Sequence, residues 1–559
     1  MAVDMAKVRA RFKDLKEQRS PYETRYRDLA RYILPDSGRF DESTTQAAKA
    51  ADPWTFVYEA TATDAAAALA AGLLGGITSP ARPWFRLTTG DPEKDEQYEN
   101  RQWLSRVTAR LQAVFLRSNV YPALIQAYEE LAVFGTACLI ALPSESDEVL
   151  HLYPMTVGEY WIAEDYENRV NTVFRRISMT AEQMADQFGR DKVSDGVRRC
   201  LTDDRKRTQR FQVIHGIFPR DNYDPRKKDN KNFPWVSVYF EEAYADGRYS
   251  SGSQTPLLEE GFTNFPGLCP RWEIHGGSVY GTSPGMKALR EVKGLQVEVK
   301  RKRQGIDELT NPAMIYPASM ENHQLDFTPG GISFYPDGGT PQQAYPAKQV
   351  GINLQHLLAD IQDSRQKINE YFYKDLFTAI MSTPRTNRTA YEVDQVAQER
   401  MALLGPVLQR LNGELLRPLI RMGLYALDKA EMIDPMPEGM DGITVEFESI
   451  LVQALRAAGI TSEDRYLSTA FTIANVNQSI IDNIDLDKLM QKRAIAQGVD
   501  PDILRAPEDV QKMRDARQAQ QEQQAQMAQA MQMSEVVRNM QSTNPGIPNV
   551  GSIQSMQGY

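Results

Sequence analysis

The chain has 559 residues, of which 42% are hydrophobic and 25% charged, with a formal net charge of −10 and a pI near 5.3. The length predicts several domains, and the acidic balance argues against a broad DNA-gripping surface, which is normally basic. The three cysteines are widely spaced, which fits a reducing compartment and argues against a disulfide framework or a cysteine metal site. The charged N-terminal segment has no apolar run, so we expect no secretory signal there.

The first 136 residues carry helical patterns. Apolar residues follow one stripe over 6–34, and Pro35 ends this first predicted helix. An uncharged, Ala/Gly-rich stretch from Ala65 to Pro80 is shorter than the roughly 18 residues that a membrane span needs. We therefore interpret it as a buried helix that packs closely through small side chains. Three predicted helices complete this region, over 56–76, 94–118 and 122–136.

Strand patterns follow from Leu139 to about Gln254. Short β-branched and aromatic runs such as LIALP, TVFRRISM and WVSVYFEEAY alternate with turn residues, and one helix is expected over 180–189. This pattern predicts a mixed, largely antiparallel region. The Gly- and Pro-rich segment 267–284 indicates a junction.

Two predicted helices flank a small insert in the middle of the chain. The first starts at Ser283, a good N-cap, and continues toward Leu309, while the second carries apolar residues from Leu354 to Phe372. At about 20–25 residues each, they would be about 30–37 Å long. The insert, 313–350, holds five prolines and four glycines.

A loop and a long helix come next. The sequence MSTPRTN at 381–387 interrupts the helical pattern, and Thr389 then caps a helix predicted over 390–431. Pro406 and Pro418 lie inside this helix, so kinks are expected.

The C-terminal part begins with a predicted strand at ITVEFES and a helical region over 450–508. Residues 518–533 form a Gln/Ala/Met low-complexity tract, and the last stretch, rich in Pro, Gly, Ser and Asn, has the composition of a disordered tail.

No group of residues indicates catalysis or a cofactor. The segment Gly281–Lys287 has the wrong spacing for a phosphate-binding loop. The same segment contains Gly-x-Ser-x-Gly, which would make Ser283 a hydrolase nucleophile. The oxyanion hole of such enzymes uses the backbone N–H of the residue after the serine, and here that residue is Pro284, which has none. The helix-cap interpretation of Ser283 is therefore preferred.

Metal binding is not expected either. The five histidines lack the spacing of helical ligands or of a His/Cys cluster. Carboxylate pairs such as Asp203-Asp204 are adjacent residues, which is typical of solvated turns rather than catalytic dyads. We expect no catalytic residues, no metal and no cofactor.

Two basic features stand out against the acidic background. Lys300, Arg301, Lys302 and Arg303 lie in the helix before the insert, where four consecutive residues point all around the helix. They fit either a solvated helix end or a contact to DNA or a partner. Arg385, Asn387 and Arg388 lie in the loop before the long helix. That loop fits either a phosphate contact or an ordinary polar connection.

The order of these elements resembles the portal, or head-to-tail connector, family of short-tailed double-stranded DNA phages. Three blocks carry the resemblance over roughly residues 5–500: RSPYETRYRDLARYILP, then DPWTFVYEA through AAALAAGLLGGITSPARPWFRL, and RTAYEVDQVAQERMALLGPVLQRLNGELLRPLIRMGL. The implied fold is α+β and predominantly α-helical, the phage portal fold of wing, stem, clip and crown, assembled into a ring. The Gln-rich tract departs from the family pattern.

The resemblance also implies a domain for each part of the chain. The wing would be 1–282 together with the long helix and following strand, 390–449. The stem helices would be 283–310 and 353–376, separated by the clip, 311–352. The tunnel loop, crown and disordered tail would be 377–389, 450–541 and 542–559.

A portal of this family would be a homo-oligomer of twelve subunits at one capsid vertex, conducting double-stranded DNA without reading its sequence. The implied partners are the terminase and then the tail adaptor at the clip, the major capsid and scaffolding proteins, and internal core or ejection proteins at the crown. It would be a virion protein assembled in the bacterial cytoplasm, with no membrane contact. The alternatives are another virion structural protein, from the tail or capsid, and a nucleic-acid enzyme, against which the missing motifs argue.

Overall fold

The computed structural model describes residues 3–40, 53–144, 146–224, 226–227, 229–242, 255–310, 314–315, 345–346, 354–381, 404–440, 442–448 and 507–543, with a few isolated positions between 472 and 490. The chain divides into two units, Met1–Leu455 and Arg456–Tyr559. In the described residues, no helix is long and apolar enough to cross a membrane.

The N-terminal region is helical, as the apolar spacing predicts. Helix α1 spans Met5–Tyr32, and the Asp4 carboxylate accepts a hydrogen bond from Ala6 N at its start. The elements that follow are a 3₁₀ turn at Pro53–Phe56, α2 (Thr61–Ile77), β1 (Phe85–Thr88), α3 (Pro92–Glu96), α4 (Tyr98–Arg117) and α5 (Val120–Phe134). Gly135 ends α5 with a φ of 79°. One face of α2 is buried and includes the small residues Ala62, Ala65, Ala66, Ala70 and Gly72, which confirms the interpretation of that stretch as a packed helix.

Two antiparallel sheets form the region predicted to be rich in strands. Their strands are β2 (Cys138–Pro143), β3 (Leu150–Met155), β4 (Tyr160–Glu164), β5 (Val170–Thr180), β6 (Arg210–Pro219), β7 (Trp235–Glu241), β8 (Leu258–Phe262) and β9 (Gly267–Leu268). One sheet has five strands in the order β4-β5-β6-β7-β8, and the other has three in the order β3-β2-β9. Between β5 and β6 lie α6 (Ala181–Phe188), the predicted helix with a capping box at Thr180, and α7 (Asp195–Leu201), which the sequence did not predict.

Alternation along the strands of the five-stranded sheet gives the sheet two apolar faces. Ile214 and Phe240 pack in one cluster with the first half of α1, and their neighbours Val213 and Tyr239 pack in another with α6 and α7. A larger core joins the second half of α1 to α2, α4, α5, the three-stranded sheet and the central helices.

The central helices form a hairpin. Helix α8 spans Pro284–Thr310, and α9 spans Leu354–Tyr371. Both predicted helices are present. At 1.5 Å per residue, α8 is about 40 Å long and α9 about 27 Å long, so α8 is longer and α9 shorter than the sequence predicted. Tyr373 has a φ of 54°, and this break separates α9 from α10 (Lys374–Met381). Within 311–353, the described residues are two short paired strands, β10 (Met314–Ile315) and β11 (Tyr345–Pro346).

The long helix is described from residue 404 onward. A π-helical turn at Asn412–Leu416 precedes α11 (Arg417–Lys429). This turn is the irregularity that was predicted near Pro418, because a proline cannot donate the i→i−4 hydrogen bond of an α-helix. Strand β12 (Thr444–Phe447) pairs antiparallel with β1, so two segments that are far apart in the sequence lie side by side.

The second unit is described mainly by α12, Pro507–Thr543, which includes the Gln-rich tract. The predicted tunnel loop, 377–389, begins too early, because residues 377–381 belong to helix α10. Residues 382–389, most of the predicted helical region 450–508 and the tail beyond 543 lie outside the described residues.

Candidate functional site

The α8–α9 hairpin contains Lys300–Arg303, one of the two basic features that the sequence singled out. Its inner stripe is buried in the main core and consists of Ala288, Val292, Leu295, Val299, Ile361 and Ile368. Glu298 lies beside Ser364 and Asp360, while Glu291 lies near Lys367, so the two helices run antiparallel. Burial and the neighbouring Asp360 raise the pKa of Glu298.

Within the part of the chain that the structure describes, nothing covers the opposite face of α8. Arg290, Val297 and Arg301 recur at helical spacing and are all exposed, and Val297 retains 47% of its accessible surface. A Cβ added at Gly294, on the same face, would meet open space. Farther along the hairpin, Ile306, Leu309 and Leu358 are exposed as well. The hairpin therefore presents apolar and basic side chains together.

The hairpin is fixed to the body by polar contacts, of which those of the buried Gln296 side chain are the most shielded. The Gln296 side chain accepts hydrogen bonds from Tyr58 N at 2.6 Å and Glu59 N at 3.0 Å, and donates one to Glu59 O at 2.7 Å. Lys293 pairs with Asp28 at 2.6 Å, and α9 adds an ion pair of 3.1 Å between Arg365 and Glu59. The base of the hairpin is therefore held rigidly against α1 and the segment before α2.

Ser283 is a helix cap, as the sequence indicated. Its Oγ donates to Val133 O at 2.6 Å and accepts from Met286 N at 2.9 Å, and the residue is fully buried. Both contacts use the hydroxyl structurally, so the hydrolase interpretation has no geometric support.

Another serine, Ser237, lies beside His215 in the five-stranded sheet. His215 Nε2 is 2.9 Å from Ser237 Oγ, but Arg175 Nε donates to Nδ1 at 2.9 Å. This donation places the histidine proton on Nε2, which then cannot accept the serine proton. Burial and Arg175 also hold the pKa of His215 well below its usual range. The pair is a buried hydrogen-bonded unit of the sheet.

The basic run in α8 is not at the end of the helix, which continues to Thr310. Lys300 lies over the ring of Tyr58 at 5.3 Å, and Arg303 donates to Tyr58 O at 2.9 Å. Arg301 points to the exposed face with Val297, and Lys302 is half-buried. The four side chains are thus divided among different surroundings, as helical geometry predicts.

The predicted tunnel-loop residues Arg385, Asn387 and Arg388 lie outside the described residues. Over the residues that the structure does describe, no group of three or more His, Cys, Asp or Glu side chains could hold a metal ion.

Sequence reasoning missed a buried charge with several partners among the described residues. The Arg271 side chain is fully buried and pairs with Glu414 at 2.8 Å and Glu164 at 2.7 Å. Its Nη atoms also donate to Asn168 O and Val279 O. The sequence signal for Arg271 was a single arginine in the apolar run GLCPRW. Gln296 was missed as well, and its signal was a polar residue next to Leu295 on the apolar stripe of α8.

Comparison with known proteins identifies the family of the chain. Residues 5–504 match the family model of the bacteriophage head to tail connecting protein. The chain belongs to this family. A probable portal protein of Bordetella phage BPP-1 is 39% identical over 508 residues, and the portal protein of Salmonella phage epsilon15 is 36% identical over 506; each alignment covers 90% of this chain and 89% of the relative. The portal protein of Escherichia phage T7 is 24% identical over 527 residues.

Among solved structures, this connecting protein is similar to a chain from the neck of an empty gene transfer agent particle. The identity is 12%, the TM-score is 0.35, and the match covers 78% of this chain and 91% of the other. A similarity of that strength adds nothing to the fold description. Family membership and the two portal relatives carry the identification, and they agree with the family that the sequence blocks indicated.

Proposed function

We propose that this connecting protein is the portal subunit of a short-tailed phage, and that twelve copies form a ring at one capsid vertex through which DNA enters and leaves. The single observation that carries the ring is the uncovered face of α8, with Arg290, Val297 and Arg301 at helical spacing. An exposed apolar side chain flanked by charges on a rigid helix is a suitable contact for a second copy of the same hairpin. The role is structural and requires no catalysis.

The parts of the subunit would divide the work as in the family. The stem, 283–310 and 353–376, would line the channel, and the wing, 1–282 with 390–449, would surround it. The clip, 311–352, would meet the terminase and later the tail adaptor, and the crown, 450–541, would meet internal proteins. Capsid and scaffolding proteins would contact the outer surface, during assembly in the host cytoplasm.

DNA contact would be local rather than spread over the ring. The net charge of −10 favours weak contact, because phosphate is repelled by most of the surface. Arg385 and Arg388, with Asn387, would touch the backbone in the channel, and the run Lys300–Arg303 is a second candidate contact for DNA or a partner.

The test is the assembly state of the purified chain. We expect electron microscopy to show rings with twelve-fold symmetry and a central hole, formed without nucleotide or metal. Val297→Asp should leave the subunit folded, because the residue is exposed, and should shift native mass toward monomers. Tyr166→Asp, at a position that is 92% exposed between β4 and β5, is the matched control and should assemble normally. Only monomers for the unmodified chain at all salt and protein concentrations would contradict the proposal.

A further inference from the structure

A buried arginine in α1 lacks an acidic partner. Arg19 is 1% exposed, and its Nη1 donates to Tyr160 O. Its Nε and Nη2 are buried and have no hydrogen-bond partner among the residues that the structure describes. A guanidinium remains charged inside a protein.

Aromatic rings surround this guanidinium. The Arg19 Cζ lies 5.5–5.9 Å from the ring centroids of Tyr26, Tyr160, Trp161 and Tyr280. These cation–π contacts compensate part of the lost hydration. They leave the in-plane N–H groups unsatisfied, because a ring face attracts the charge and does not replace a hydrogen-bond acceptor for each N–H.

The same cluster holds two more donors without acceptors. Tyr26 Oη and Trp161 Nε1 are buried and have no partner within the described part of the chain. Both belong to rings that contact the guanidinium. One small region therefore combines a full positive charge with N–H and O–H groups that lack an acceptor, which is the chemistry of an anion site.

Other buried arginines of the unit are satisfied differently. Arg271 pairs with Glu164 and Glu414, and Arg220 pairs with Glu259 at 3.3 Å. Among the described residues, Arg19 has no such ion pair. A buried charge without a counter-charge is strongly destabilising, so the position requires compensation beyond what the described residues supply.

We propose that Arg19 and its aromatic neighbours bind a monovalent anion of halide size, chloride being the probe of choice. A small spherical anion accepts from N–H and O–H donors without needing a fixed direction. The bound anion would neutralise the charge where α1 packs against β4 and the segment before α8, and it would thereby stabilise the wing of the portal.

The direct test is bromide substitution in crystals of the full-length protein, with diffraction measured at the bromine absorption edge. We expect an anomalous peak within hydrogen-bond distance of Arg19 Nη2. The absence of a peak there at saturating bromide, or an ordered water in its place, would overturn the proposal.

The second test measures Tm in sodium chloride and in sodium gluconate at equal ionic strength. Tm should rise with chloride by about 2 °C or more and saturate, whereas gluconate is too large to enter. Arg19→Met should lose this dependence, and Arg220→Met, which removes a buried arginine with a carboxylate partner, should keep it. Equal chloride responses of the unmodified protein and Arg19→Met would overturn the proposal. If Arg19→Met does not fold, the bromide map of the unmodified protein decides.

Discussion

Replacement of Arg271 by methionine tests how the long helix is held to the body. Arg271 joins the segment before α8 to Glu414 in the π-helical turn and to Glu164 at the end of β4. The substitution preserves much of the side-chain volume and leaves two carboxylates that are only 22% and 14% exposed without their cation. Breaking a buried pair in this way costs about 3–5 kcal/mol, and the partial exposure of both carboxylates favours the lower end.

The expected change in Tm follows from the size of the unit. With about 2.1 cal/mol/K of unfolding entropy per residue, a unit of 455 residues has about 1 kcal/mol/K. A loss of about 3 kcal/mol therefore lowers Tm by about 3 °C. Calorimetry at one scan rate and one protein concentration measures this, because assembly and irreversible unfolding both influence Tm.

A double variant separates the ion pair from simple loss of packing. Arg271→Met with Glu414→Leu removes one of the two stranded charges and leaves Glu164, so it should be less destabilised than the sum of the two single variants. Arg198→Met, which breaks an exposed pair with Asp195, is the control and should change stability by less than about 1 kcal/mol. A Tm for Arg271→Met within 1 °C of the unmodified protein, by the estimate above, or additive single effects, would refute the reasoning.

Two further substitutions have defined outcomes. Burial raises the pKa of Glu130 to about 7, although hydrogen bonds from Thr156 and others oppose this. The folded state therefore retains a proton that the unfolded state has lost above pH 4.5, and the stability contributed by that proton disappears as pH rises through 7. The Tm of Glu130→Gln minus that of the unmodified protein should therefore increase between pH 5 and 8. A difference that stays constant over this range would contradict the prediction. Gln296→Leu should lower stability by about 2–4 kcal/mol in calorimetry, because it strands the backbone groups of Tyr58 and Glu59, and an unchanged Tm would contradict it.

Local signals in the sequence were sufficient for most helices. The apolar stripe of α1, the glycine after α5, the capping box at Thr180 and the serine cap before α8 are each fixed by residues within one or two turns. These features depend on short-range chemistry, so a pattern in one segment is enough to predict them.

Long-range partners could not be predicted in the same way. Phe85 pairs with Phe447, and Arg86 with Glu446, across about 360 residues, and nothing local to either strand identifies the other. Arg19 and Arg271 illustrate the same limit. Their positions on the sequence give the charge, but whether a carboxylate or a set of aromatic rings meets that charge depends on how distant elements pack.

The tunnel loop gives the sharpest test of DNA contact. Replacing both Arg385 and Arg388 with alanine should weaken retention of packaged DNA, and replacing both with glutamate should weaken it further, because glutamate adds repulsion to the lost attraction. Retention by the unmodified protein should weaken as salt rises, since the logarithm of the affinity of phosphate contacts falls linearly with the logarithm of salt concentration through counterion release. The measurement is the fraction of particles that retain full-length DNA after a salt challenge.

A double lysine variant at the same two positions distinguishes charge from shape. Lysine keeps the positive charge but lacks the planar guanidinium group of arginine. A contact to the DNA phosphates that needs only charge should therefore survive at low salt in this variant. Ring assembly should be the same in all three variants, because neither arginine lies on an apolar stripe of the sequence. Normal packaging and normal retention with the glutamate pair would mean that the loop only connects two helices. Loss of rings with the glutamate pair would instead place these arginines at the contact between subunits, since a DNA-facing side chain has no reason to affect assembly without DNA.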